Sequence, residues 1–99
     1  MKKQILIVDD SETSSMYLKM ALPDYEVVSV TSGREMWKQL EIQIPSLILM
    51  DIVMPEEDGY SLAQKLAIKD NYKDIPIIFQ TTKNSSEDLE KAFDSGAVD

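Results

Sequence analysis

Four short apolar runs set the terms for this chain: Ile5-Leu6-Ile7-Val8, Val27-Val28-Ser29-Val30, Leu47-Ile48-Leu49-Met50 and Ile75-Pro76-Ile77-Ile78-Phe79. Three are continuous rather than alternating, and β-branched residues are frequent in them. Strands covered by helices on both faces read this way. The second run, with Glu26 before it and Ser29 inside it, reads as an edge strand. Helix-length segments with start and stop signals lie between the runs. The first extends from about Ser11 to Leu22, carries Met16, Tyr17, Met20 and Ala21, and stops at Pro23-Asp24. The second opens on the capping box Ser32-Gly33-Arg34-Glu35 and carries Met36, Trp37, Leu40 and Ile44. The third follows Asp58-Gly59 with Leu62, Ala63, Leu66 and Ala67, and the fourth runs from Ser85 through Leu89, Ala92 and Phe93 to a stop at Gly96. Trp37 and the methionines at helical spacing read as core. Strict strand–helix alternation predicts an α/β fold, a doubly wound parallel sheet with right-handed crossovers and helices on both faces.

Composition narrows the chemistry. The 99 residues are 43% hydrophobic and 28% charged, an ordinary globular balance, and they read as one domain over 1–99. Ten basic against 18 acidic residues give −8, a poor match for nucleic-acid phosphates or anionic membranes. With no Cys and no His, disulfide scaffolds, catalytic triads and zinc hydrolases drop out. Carboxylates, hydroxyls and lysines remain, and these suit hard cations and phosphoryl groups. No apolar run approaches the ~20 residues of a membrane span, and the basic start is too short for a signal peptide, so a cytoplasmic protein is expected.

Asp9 and Asp10 directly follow the first run and Asp51 directly follows the third. In a sheet ordered 2-1-3-4, strands one and three are neighbours at the topological switch point, where ligands bind outside the carboxyl ends of strands. One Asp after a strand is ordinarily a turn former or helix cap. Carboxylates at both strand ends of one switch point would instead repel one another unless a cation neutralises them, and an oxygen-only set in an open crevice suits Mg²⁺. Thr81 and Thr82 end the fourth run, placing hydroxyls beside the third strand. Met54-Pro55-Glu56-Glu57-Asp58-Gly59 reads as a turn, with Asp58 capping the next helix.

The motifs Ile-Leu-Ile-Val-Asp9-Asp10, Leu-Ile-Leu-Met-Asp51-Ile-Val-Met-Pro55-Glu-Glu-Asp58-Gly59, Ile-Pro76-Ile-Ile-Phe-Gln-Thr81 and Ser95-Gly96-Ala97 resemble, in order and spacing, the receiver domain of bacterial two-component response regulators. The resemblance spans the whole chain and implies a flavodoxin-like receiver fold. It implies Asp51 as phosphoacceptor, Mg²⁺ held by Asp10, Asp51 and the Val53 carbonyl with Asp9 direct or through water, and Thr81 as a switch hydroxyl. Thr82, where the family commonly has a small Ala, would narrow the site or donate a second hydroxyl, and Pro55, Asp58 and Gly59 would shape the loop that holds Asp51. A sensor histidine kinase or a phosphotransfer protein would be the donor.

Family members continue after Gly-Ala-x-Asp into a fifth strand, a Lys before Pro and a fifth helix. This sequence ends at Asp99, so a truncated receiver or the N-terminal piece of a longer chain is expected. Lys83 does not match the position of the family Lys, and Ser46 stands where the family often has Asp. Without a fifth strand the fourth would be an open apolar edge, which favours self-association. Two other readings compete: a degenerate receiver acting as an interaction module without phosphorylation, and an Asp-nucleophile phosphatase of the haloacid-dehalogenase kind. The latter needs a second Asp where Val53 stands.

Overall fold

Capping and apolar runs together place seven elements in the computed structural model, which describes residues 2–54 and 57–80. They are β1 (Gln4–Val8), α1 (Glu12–Ala21), β2 (Glu26–Val30), α2 (Gly33–Ile42), β3 (Leu47–Asp51), α3 (Gly59–Ala67) and β4 (Ile77–Gln80). The expected fourth helix from Ser85 to Gly96, and Pro55, Thr81, Thr82 and Lys83, lie outside the described residues.

Each helix begins on a side-chain cap that satisfies an otherwise orphaned N–H. Ser11 Oγ accepts from Ser14 N, Ser32 Oγ from Glu35 N and Asp58 Oδ1 from Ser61 N. The expected capping box on α2 closes differently. The Glu35 carboxylate accepts from the N–H and hydroxyl of Thr31, one residue before the cap, and so ties down the end of β2.

The strands form one parallel sheet in the order β2-β1-β3-β4, the doubly wound arrangement expected. β1 is buried along its whole length and β3 nearly so, as their continuous apolar runs require, whereas β2 is a half-exposed edge. β4 starts at Ile77, two residues later than its apolar run. Ile75 N donates instead to Tyr72 O in the preceding turn, and Pro76 has no N–H to give the ladder, although its carbonyl accepts from Ile48 N.

Alternation along the strands divides the core into two layers. Leu6 and Val8 of β1, Ile48 and Met50 of β3, and Ile77 of β4 pack against Met36 and Leu40 of α2 and Leu62, Ala63 and Leu66 of α3. Ile5, Ile7 and Leu49 face the other way, toward Leu18 and Leu22. Met36 is core as read and Trp37 packs partly buried against it, while Met50 of β3 and Met54 in the following turn are buried as well. Met16 and Met20 are not core. Together with Tyr17 they are 61–74% exposed, because α1 turns Ser15 and Leu18 inward and the Met16–Met20 stripe lies about 150° around the helix, nearly on the opposite face. Ile44 falls outside α2 and is exposed, and Ala67 is exposed at the end of α3.

Candidate functional site

The carboxyl ends of β1 and β3 meet at the switch point of this sheet, with Val8 and Met50 in register. Asp9, immediately after β1, is buried: its N–H donates to Val30 O at 3.1 Å and its Oδ1 accepts from Ser11 N at 2.8 Å. It therefore serves the local role of a turn former while also lining the crevice with its carboxylate. Asp10 is exposed beside it. Asp51 is the last residue of β3, half-buried, and accepts from Val53 N at 3.2 Å.

These three acids, 41 or 42 residues apart in sequence across the two strands, offer oxygens that all lie within 4.8 Å of one another. Burial, followed by the charge of Asp9, pushes the Asp51 carboxyl from 3.8 up to about 6. Asp10 adds to the rise and the Val53 N–H pulls part of it back. Repulsion among neighbouring carboxylates is what a cation relieves. Octahedral Mg²⁺ places ligand oxygens roughly 3 to 4 Å apart, so this donor set fits it with a small inward shift.

The loop after Asp51 is pinned at Gly59. Its N–H donates to Ile52 O at 2.9 Å, and a Cβ there would stand 2.2 Å from the Asp51 carbonyl oxygen and 2.8 Å from Met50 Cγ. Backbone can approach so closely only where no side chain intervenes. Asp58 caps α3 as expected, and Glu57 forms an ion pair with Lys65 of that helix. Val53 is exposed at the rim.

A crevice of about 410 Å³ opens over the acids, lined by Asp9, Asp10, Asp51, Val53, Ser14 and Gln80. A larger groove of about 830 Å³ runs past Trp37, Lys69 and Tyr72, away from the acid cluster. Sequence reasoning passed over Ser14 on α1 and, on β4, Gln80. The membership of Gln80 depends on the pairing Asp51↔Gln80 between β3 and β4, a register no local signal encodes.

The described helices include none long and apolar enough to cross a membrane. Among relatives, the chain is 35% identical over 96 residues to "Probable cyclic di-GMP phosphodiesterase" of Vibrio cholerae, covering 96% of this chain and 22% of that protein. It is 35% identical over 101 residues to transcriptional regulatory protein SrrA of Staphylococcus aureus, covering 100% of this chain and 41% of SrrA. The chain thus spans less than half the length of these relatives. Among solved structures, chemotaxis protein CheY4 of Vibrio cholerae superposes with a TM-score of 0.90 at 28% identity, covering 99% of this chain and 83% of that one. The family model for the response regulator receiver domain matches residues 5–99, and the chain belongs to that family.

Proposed function

We propose that this receiver domain accepts a phosphoryl group on Asp51, in a Mg²⁺-dependent reaction, from a histidine kinase or phosphotransfer protein. The observation that carries the reading is the convergence of Asp9, Asp10 and Asp51 within 4.8 Å at the switch point. Asp51, raised only to about 6, is ionised at neutral pH and free to act as a nucleophile. Its carboxylate oxygen attacks phosphorus, the bond to the donor's leaving group breaks, and the product is an acyl phosphate. Positioning and charge neutralisation, rather than a separate base, govern such a transfer. Asp10, Asp51 and the Val53 carbonyl would hold Mg²⁺, with Asp9 direct or through water, and when bound the ion neutralises phosphoryl charge. Asp9, tied to Ser11 N, would keep one carboxylate fixed while Asp51 changes state. Thr81 and Thr82, which follow Gln80 in the chain, would supply hydroxyls to the phosphoryl group. Pro55, Asp58 and Gly59 would hold the loop, Gly59 by its close approach to the Asp51 backbone.

Intact-mass analysis after incubation with acetyl phosphate tests this. One added phosphoryl group is expected with Mg²⁺, and none without Mg²⁺ or in Asp51→Asn. Absence of addition in folded wild-type protein, or addition that persists in Asp51→Asn, refutes it.

A further inference from the structure

Gln80 occupies a place in the crevice that the phosphoacceptor reading leaves unused. Alternation fixes its side of the sheet. Along β4, Ile78 packs into the layer of Ile5, Ile7 and Leu49, whereas Ile77 and Phe79 pack into the opposite layer. Gln80 therefore returns to the side of Ile78. The same count along β1 and β3, from Ile7 and Leu49, puts Asp9 and Asp51 on that side as well. Gln80 pairs with Asp51 in register, one strand spacing of about 4.8 Å away, and lines the same 410 Å³ crevice. The backbone at this point is committed, since Gln80 O accepts from Ile52 N at 3.2 Å. The side-chain amide has no hydrogen-bond partner among the described residues. It is a half-exposed donor and acceptor at the end of an otherwise apolar strand, beside three acids that can only accept when ionised.

From this we propose that the Gln80 amide positions the water that hydrolyses phosphorylated Asp51, and so sets how long the phosphorylated state lasts. This rests on the reading of Asp51 as phosphoacceptor. In the step, the water oxygen attacks phosphorus and the bond between phosphorus and the Asp51 oxygen breaks. The electron pair returns to the Asp51 carboxylate, and both protons of the water leave with inorganic phosphate as dihydrogen phosphate. A primary amide suits this because its carbonyl accepts from the attacking water while its NH₂ donates to a phosphoryl oxygen, the way a glutamine orients water in GTP hydrolysis. Among the described residues lining the crevice, Asp9 and Asp10 are expected to be engaged with the cation, and Ser11 and Ser14 offer hydroxyls rather than an amide.

Loading the protein with acetyl phosphate and Mg²⁺, removing the donor, and following loss of the phosphoryl group by intact mass tests the assignment. Gln80→Met keeps the side-chain length without the amide, and Gln80→Leu is a second apolar variant should the first not fold. Hydrolysis is expected to slow roughly 3- to 10-fold, the effect of one lost hydrogen bond. Phosphorylation by acetyl phosphate should slow less than hydrolysis, because the water that the amide positions takes no part in it and only the contact to a phosphoryl oxygen is lost. A merely structural role would displace Asp51 and change both rates together, which overturns the proposal, as does a wild-type or faster hydrolysis rate in a folded variant. If wild-type protein takes up no phosphoryl group, the phosphoacceptor reading itself fails and this proposal falls with it; uptake with unaltered hydrolysis removes Gln80 alone.

Discussion

Replacing Asp51 by Asn should stabilise the metal-free protein at pH 7.5. The raised pKa states that ionised Asp51 sits less comfortably in the folded crevice than in the unfolded chain. The shift from 3.8 to about 6 corresponds to an upper bound of about 3 kcal/mol, and because the carboxylate is open to solvent in the crevice, screening brings the expected gain to about 1–2 kcal/mol. For a domain of this size that is a rise in Tm of at least roughly 4 °C. The sign follows from proton counting. Between pH 3.8 and about 6 the folded state binds more protons at Asp51 than the unfolded state, so its contribution falls as pH rises through that window. The cost is absent below the lower value and complete above the upper one. Asn accepts the Val53 N–H as Asp51 does, so that hydrogen bond survives the substitution. Urea melts of the two proteins in EDTA, at pH 4 and at pH 7.5, isolate the site, because the titrations of groups that do not interact with Asp51 cancel in the difference. Millimolar Mg²⁺ should then favour wild type by mass action and shrink or reverse the gap. A variant less stable than wild type in EDTA at pH 7.5, or a difference that does not grow with pH, would refute the repulsion argument.

Other substitutions probe the frame around the acids. Gly59→Ala should cost at least about 2 kcal/mol in urea unfolding, because its Cβ has the Asp51 carbonyl 2.2 Å away and backbone must move. Asp58→Ala removes the cap on Ser61 N and should cost about 1 kcal/mol, with Asp58→Asn restoring most of it. Met36→Ala, at a fully buried position, should lose about 2–5 kcal/mol, whereas Met20→Ser, 74% exposed on α1, should stay within about 0.5 kcal/mol by the same melts.

Local chemistry makes much of this protein legible without a structure. Ser11, Ser32 and Asp58 announce their helices because a cap needs only its own residue and the N–H groups two or three positions on. The unbroken runs of β1 and β3 announce central strands because burial on both faces leaves no polar alternation, and Asp9, Asp10 and Asp51 stand out because each sits at the end of such a run. Other features come from pairings distant in sequence. The outward turn of Met16, Tyr17 and Met20 could not be read from a helix with apolar residues on more than one side: which stripe is buried depends on where Leu18 and Leu22 meet the sheet. The raised pKa of Asp51 arises from burial and from Asp9, 42 residues earlier, brought close by the β1–β3 pairing. Gln80 joins the crevice through its register opposite Asp51 and the two-residue alternation of the sheet. The sequence by itself determined the elements, their order and the acids, since those depend on neighbours along the chain. Only the tertiary structure decided which faces meet and what field the acids feel, because both are set by contacts between strands and helices that no single segment contains.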